Sequence, residues 1–444
     1  MTSEHFTKIQ QYVLADESEA AVFLIAGYFE NEFGIHFTVR NIIIPNERDY
    51  DVRSPYRLEV SPMFFNKVIS IAEGNNVTVI QCHSHPFSKN ELWYSASDNS
   101  GESLSSQTIY NCLGTPMGSL LFGSDGVIGR AWLPGKNKPI QIEQLRLVDR
   151  HLKIHNISGK KTEVKIDKKI FDRQIRAFGV KGQELLSELQ IGIIGMGGTG
   201  SAVAEQLARE GIKNLIIADY DKFEPSNLTR LYGSYQNTKR EYKVDIVKKN
   251  IKKIQTDVNV KTIPENIISQ KILKDFKNCD VIFSCTDRHA PRSVLNELAH
   301  QYFIPVIDVG VGIDTKEDKI EGGSVRVSLS SPSIPCLYCI GIINSEQILS
   351  ESLKKKDRVS RQKEGYVSGL VDDAPSVISF TTMAACYAIL LFKDLIFNLI
   401  DTDANTILLD VTTFQTSRLS SSIKKDCTCI SRMGKADYYP LSAP

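Results

Sequence analysis

GIIGMGGTGSAVAEQLAREG, residues 192–211, leads from an apolar run through Gly195, Gly197, Gly198 and Gly200 into a pattern with helical spacing. Glycines at such a junction let the backbone come close to phosphate oxygens, while the N-terminus of the following helix supplies partial positive charge. Outward from it, LQIGIIG (189–195), NLIIAD (214–219), CDVIFSC (279–285) and IPVIDVG (304–310) read as parallel strands of a doubly wound sheet. The glycines alone would suit a dinucleotide dehydrogenase. The residues beyond them suit a nucleoside triphosphate better. Asn227, Arg230 and Lys243 offer the polar and cationic groups that three phosphates need and that hydride transfer does not. Asp219, after the second strand, suits a ribose hydroxyl or an adenosine. Asp287, at the carboxyl end of a later strand, suits Mg²⁺ as pyrophosphate departs.

The chain has 444 residues, enough for two or three domains. With 53 Lys and Arg against 52 Asp and Glu, its net charge of +1 gives no reason to expect nucleic acid or an anionic membrane as partner. The apolar run AACYAILLF (384–392), preceded by Met383, stops at Lys393, well short of the roughly twenty residues of a membrane span. The N-terminus has no secretory pattern, so the nine cysteines are expected in a reducing cytoplasm, serving metal or catalysis rather than disulfides. Residues 1–149 read as a small α/β domain, with strands at 20–29, 34–44 and 75–86 and a helix at 61–73. Residues 150–169 carry seven basic residues against two acidic ones and read as a solvated connector, with the second α/β domain at 170–444. ESLKKKDRVSRQKEG (351–365) reads as a long loop.

HSHPFSKNELWYSASD (83–98) holds a second constellation. Residues two apart on a strand share a face, so His83 and His85 aim together, and Pro86 ends the strand. Asp98 would complete a His-His-Asp set with one open position, the pattern of a catalytic zinc. Glu19, at the mouth of the first apolar strand, would be the base, with Glu17 a weaker candidate, and Ser95 could donate to a developing oxyanion. Two histidines at a strand end are equally what a partly buried, hydrogen-bonded pair looks like. The combination of Glu, H-x-H-P and S-x-x-D resembles the JAB/MPN (JAMM) metalloproteases over roughly residues 1–135. Members of that family cut peptide or isopeptide bonds at the C-terminus of ubiquitin-like proteins. The gap from His85 to Asp98 is longer than the family usually has, and Val22 stands where a glycine is often found.

From FDRQIRAFG (171–179) to the last cysteines, the series of motifs resembles the ThiF-type adenylyltransferases, which include ubiquitin-activating enzymes and activators of sulfur-carrier proteins. The resemblance implies attack on the α-phosphate of ATP by the C-terminal carboxylate of a small β-grasp protein. It implies Asp219 on the ribose, Asn227, Arg230 and Lys243 on the phosphates, Asp221 and the four glycines in the same nucleotide site, and Asp287 on Mg²⁺. Arg173 would reach into the nucleotide site of a second copy, hence a homodimer.

Cys336 and Cys339 form a C-x-x-C, and Cys427 and Cys429 a C-x-C about ninety residues on. Four thiolates brought together would close a structural zinc site. Thioester-forming relatives carry a cysteine in the crossover stretch, and residues 340–385 have none. Cys386, in an apolar stretch, is expected in a core. The resulting expectation is a bifunctional α/β enzyme of a bacterial ubiquitin-like modification system, with a role in antiphage defence among its settings and a conjugating enzyme as a further partner. One zinc site would process or remove a ubiquitin-like protein, and an ATP site would activate it. Trimming and activation of a sulfur carrier for thiocarboxylate formation is the alternative within that scheme. A scaffold that binds such proteins without chemistry is the alternative outside it.

Overall fold

A computed structural model of the chain describes residues 1–75, 77–88, 91–159, 165–353, 375–399, 403–438 and 441. Two compact units emerge. One comprises Met1–Thr162 with Gln301–Phe303 and Arg432–Pro440; the other comprises Glu163–His300, Ile304–Ser431 and Leu441–Pro444.

In the first unit, α1 (Ser3–Val13) precedes β1 (Ala21–Asn31), β2 (Gly34–Ile43) and a short hairpin of β3 (Tyr50–Ser54) and β4 (Arg57–Val60). Then come α2 (Pro62–Gly74), β5 (Thr78–Ser84), α3 (Ala96–Leu113), β6 (Met117–Gly123), β7 (Gly126–Trp132) and β8 (Ile140–Ile142). The sheet order is β2-β1-β5-β6-β7-β8, with β5 and β6 parallel and the other neighbours antiparallel. Strand β1 is apolar on both faces because both are covered. Val22, Leu24 and Ala26 enter one core with Ile9 and Val13 of α1, and Ala21, Phe23 and Ile25 enter another with Phe64 and Val68 of α2. The stretch expected to be a connector is partly strand: β9 (Gln144–Val148) pairs with β10 (Leu152–Asn156). Leu145, Leu147 and Ile157 fill the α1 core, an apolar contribution that the surrounding basic residues obscure in the sequence. The C-terminal segment also belongs here. Gly434 O accepts from Gly27 N (3.1 Å) and Thr38 Oγ1 (2.9 Å), and Met433 O accepts from Arg40 Nη1.

The second unit runs α4 (Asp172–Glu188), β11 (Gln190–Ile194), α5 (Gly198–Arg209), β12 (Asn214–Ala218), α6 (Lys243–Ile254), β13 (Asn259–Ile263), α7 (Gln270–Phe276), β14 (Val281–Ser284) and α8 (His289–Tyr302). It continues with β15 (Val306–Lys316), β16 (Lys319–Ser330), α9 (Ser345–Ser352), α10 (Ile378–Phe397), β17 (Thr406–Asp410), β18 (Gln415–Leu419) and α11 (Thr428–Arg432). The eight-stranded sheet has the order β13-β12-β11-β14-β15-β16-β17-β18; its first five strands are parallel and the rest antiparallel. Strand order reverses between β11 and β14, the place where doubly wound sheets open a crevice at their carboxyl ends.

Helix α10 has 20 residues and a mean hydropathy of 1.6, the length and apolarity of a membrane span, which the sequence had not suggested because Lys393 and Asp394 interrupt it. It packs on α5, β15 and β16, with Ala384, Ala388 and Phe392 buried. The basic stretch at 351–365 lies largely outside the described residues.

Asp308 of β15 is fully buried, receiving Arg292 Nε at 3.0 Å, Arg326 Nη2 at 2.7 Å and Ser284 Oγ at 2.7 Å. Burial pushes its carboxyl up, but Arg292 and Arg326 outweigh this and hold it below the ordinary carboxylate range. Replacing Asp308 with Ala leaves Arg292 buried without its counter-charge and should lower stability to urea by about 3 kcal/mol. Because the folded value is depressed, the stabilisation is complete above the unfolded value of about 4 and is lost as the pH falls through the folded value. The acid destabilisation of the native chain should therefore be shallower in Asp308→Asn, measured by urea midpoints across that range.

Candidate functional site

In the first unit, β1 and β5 pair antiparallel with Ala21 opposite His83, which brings the start of one strand to the end of the other. Glu19 is fixed through its backbone, its N–H donating to Ser54 O (3.0 Å) and its carbonyl accepting from Arg53 Nε (3.2 Å). Its Oε1 lies 3.7 Å from His85 Nε2. Asp98 stands in the first turn of α3, with Oδ1 3.2 Å from His83 Nε2 and Oδ2 3.5 Å from His85 Nε2. One donor atom each from His83, His85 and Asp98 lies within 4.8 Å of the others. Ser95 is the N-cap of α3: its Oγ accepts from Asp98 N (3.1 Å) while Asp98 Oδ2 accepts from Ser95 N (2.6 Å). The S-x-x-D pattern is thus a capping box that also orients a carboxylate toward two imidazoles.

Electrostatics follow from the burial. Desolvation pushes Glu19 up to about 7, with His83 pulling it down and Asp98 pushing it up. Desolvation raises Asp98 too, but the hydrogen bond and charge of His83 and the Ser95 N–H outweigh it and hold Asp98 well below the carboxylate range. Burial, then His83, depresses His85. Nδ1 of both rings is buried without a hydrogen-bond partner, while both Nε2 atoms face the Asp98 carboxylate, a convergence of donor atoms that a cation would tie together. The group opens into a cleft of about 880 Å³ whose wall includes Tyr56, Phe87 and Trp93.

In the second unit, the glycine turn follows β11 at the strand-order reversal. Gly195 has φ +90°, and a Cβ there would lie 2.6 Å from Cys285 O; a Cβ on Gly200 would lie 1.8 Å from Gly195 O. A Cβ on Gly198 would press on Thr381, whereas Gly197 has open space around it. Of the four, Gly195 and Gly200 are the ones the turn cannot replace. Asp219 binds this turn directly, accepting from Met196 N at 2.6 Å and from Asp221 N at 2.8 Å. Burial raises its carboxyl, with Lys243 pulling it down. Lys243 Nζ reaches Asp221 Oδ2 at 2.8 Å. Asn227 Oδ1 caps its own short helix by accepting from Glu224 N (3.0 Å), and Arg230 Nη1 donates to Ser226 O (2.9 Å). Asp287 is exposed just past β14, and Arg173 is exposed on α4. Sequence reading missed Tyr220, whose phenol is raised by burial, lowered by Arg288, and raised by Asp221, Asp219 and Asp287.

Cys336, Cys339, Cys427 and Cys429 converge with sulfurs within 4.8 Å of one another, Cys336 being 3.6 Å from Cys339 and 3.4 Å from Cys427. Sulfurs around a tetrahedral zinc at 2.3 Å sit about 3.8 Å apart, so the set fits that ion. Hydrogen bonding from Cys429 pulls the Cys336 thiol well down, while Cys427 and Cys429 are raised. Lys424 N donates to Cys339 Sγ at 3.4 Å. Cys386, expected in a core, is exposed, because its position on α10 turns away from the sheet.

The ThiF family model matches residues 171–429, more than half of the chain, and the chain belongs to the ThiF family. Residues 1–170 precede the match. The chain is 29% identical over 163 residues to the adenylyltransferase and sulfurtransferase MOCS3 of Caenorhabditis briggsae, covering 37% of this chain and 39% of that protein. It is 27% identical over 182 residues to the molybdopterin-synthase adenylyltransferase of Haemophilus influenzae, covering 40% of this chain and 72% of that protein. It is 31% identical over 191 residues to the ubiquitin-like modifier-activating enzyme 5 of Drosophila willistoni, covering 40% and 45%.

The glycine geometry yields a paired test. Gly200→Ala cannot be accommodated without moving the turn and should lower the thermal midpoint by several degrees, as a loss of about 2 kcal/mol would. Gly197→Ala, with free space around it, should leave the midpoint within about one degree, both read by calorimetry.

Proposed function

We propose that the chain activates the C-terminal carboxylate of a ubiquitin-like or sulfur-carrier protein as an acyl-adenylate, and that its first unit hydrolyses a bond at the same kind of tail. The ThiF membership carries the first half. The N–H groups at the start of α5 and the turn cleared by Gly195 and Gly200 would cradle phosphates. Asp219, anchored on that turn, would accept from the ribose. Lys243 and Arg230, whose side chains now rest on Asp221 and on the Ser226 carbonyl, would turn to the phosphates, and Asn227 would join them. Asp287 would hold Mg²⁺ beside the departing pyrophosphate. Arg173 would act in the site of a second copy. The names of the relatives span sulfur carriers and ubiquitin-like modifiers, so both substrate classes stay within the proposal. With no cysteine at 340–385, transfer direct from the adenylate or formation of a thiocarboxylate is favoured over a thioester on this stretch.

The convergence of His83, His85 and Asp98 beside Glu19 carries the second half, and with it the JAMM-type reading. These three would hold zinc with one position left open, and the ion would make a bound water acidic near neutral pH. Glu19, buried beside His85, would take the proton from that water and pass it to the leaving nitrogen. Ser95, whose Oγ lone pair holds Asp98 N, retains its hydroxyl proton for an oxyanion. Cys336, Cys339, Cys427 and Cys429 would hold a second zinc with no open position, in a structural role.

Asp287→Ala should reduce ATP-pyrophosphate exchange at least about a hundredfold and leave tail hydrolysis unchanged, and Glu19→Gln should do the reverse. Both are followed with a β-grasp protein by radiolabel exchange and by intact mass. Loss of both activities in both variants would refute the division into two sites.

A further inference from the structure

Helix α3 carries Asp98, yet it is polar along its length: of its 18 residues, only Glu102 and Ile109 are buried. A surface helix usually docks through an apolar stripe, and the N-terminal half of this one has none. What holds it there is a carboxylate. Glu102 is 2% exposed and accepts from Ser119 Oγ (2.6 Å), Arg130 Nε (2.7 Å) and Trp132 Nε1 (2.8 Å). A buried carboxylate is costly unless its lone pairs are filled and its charge is matched, and here both conditions are met by β6 and β7.

The neighbours of Glu102 converge on the same place. Arg130 donates to Asn99 Oδ1 and lies 3.6 Å from the ring centroid of Tyr94, and Tyr94 Oη donates to Ser119 O at 3.3 Å. Residues 94, 99 and 102 are therefore tied to one rung of the sheet, on either side of Asp98 in sequence. That rung is in register with the histidine strand, since Ser119 pairs with Arg130 on one side and with Gln81, two residues before His83, on the other. Asp98 and Glu102 are four residues apart and share a helix face. Matched by Arg130, the Glu102 charge acts through geometry, by holding the helix face that aims Asp98 at the two imidazoles.

We propose that Glu102 is the positioning residue of the His83, His85 and Asp98 set and governs how tightly it holds a divalent metal, an inference that rests on the zinc reading of that set. Partners that orient a metal ligand commonly change affinity by roughly 10- to 100-fold when removed. The full-length chain would be titrated with cobalt(II), whose complex with nitrogen and oxygen donors lacks the sulfur-to-metal band of the cysteine site, and with zinc against a chelator. Glu102→Gln should weaken binding at the nitrogen-oxygen site by roughly 10-fold or more and leave the cysteine band unchanged. Val13→Ala, which destabilises the α1 core on the other face of the sheet and touches no residue of α3's core, should leave that affinity as it was. Should Glu102→Gln fail to fold, Ser119→Ala, which removes one donor and keeps the Arg130 pair, should weaken binding by roughly threefold. Affinity within twofold of the native chain in the folded variant, or a matching loss in Val13→Ala, overturns the inference. A native chain whose nitrogen-oxygen cobalt signal is absent, or survives His83→Ala, instead overturns the zinc reading itself.

Discussion

A strand in the middle of a sheet has every backbone group committed to its neighbours, so its end is a fixed point from which side chains can be aimed. Both units are organised around that constraint. In the first, the end of β5 carries His83 and His85, and antiparallel pairing with β1 brings Glu19 alongside. In the second, β11 ends in the glycine turn and β14 ends just before Asp287, one strand apart in the sheet. In each case the candidate groups sit where a buried, fully hydrogen-bonded strand meets irregular chain, and the precision of the group is inherited from the sheet.

The cost of burying polar and charged groups is met in different ways across the chain. Around Asp308 the compensation is internal, with two guanidiniums and a hydroxyl surrounding one carboxylate. The imidazoles of His83 and His85, and the four sulfurs of the cysteine cluster, have no such cationic answer: the Nδ1 atoms lie unpartnered, burial raises the Cys427 thiol, and Cys336 together with burial raises that of Cys429. A cation would supply to these two clusters what arginine supplies to Asp308.

Much of this was legible in the chain. The period of two put His83 and His85 on one face, the glycine spacing marked the turn from β11 into α5, and the two cysteine pairs declared their own convergence. Other features depend on contacts between residues distant in sequence. Glu102 reads as one more polar residue on a polar helix until Arg130 and Trp132 are brought to it. Leu152 to Asn156 read as linker because basic residues surround a short apolar pattern, and only pairing with Gln144–Val148 reveals the strand. Cys386 was misjudged because an apolar run does not say which side of the helix faces the sheet. The need for glycine at 195 comes from the carbonyl of Cys285, ninety residues away, which no local pattern encodes.

The return of the chain at Arg432–Pro440 bears on how the protein can be dissected. A fragment cut after residue 162 would carry the whole six-stranded sheet but would forfeit the carbonyl of Gly434, leaving the amide of Gly27 and the hydroxyl of Thr38 without the acceptor they share. The bare backbone of Gly27, which a side chain could not replace because Gly434 O would lie 2.4 Å from its Cβ, would then face solvent. Domain borders drawn from sequence order alone would amputate a piece of the first unit's own architecture, and shuffling or transplanting that unit requires its distant tail to travel with it.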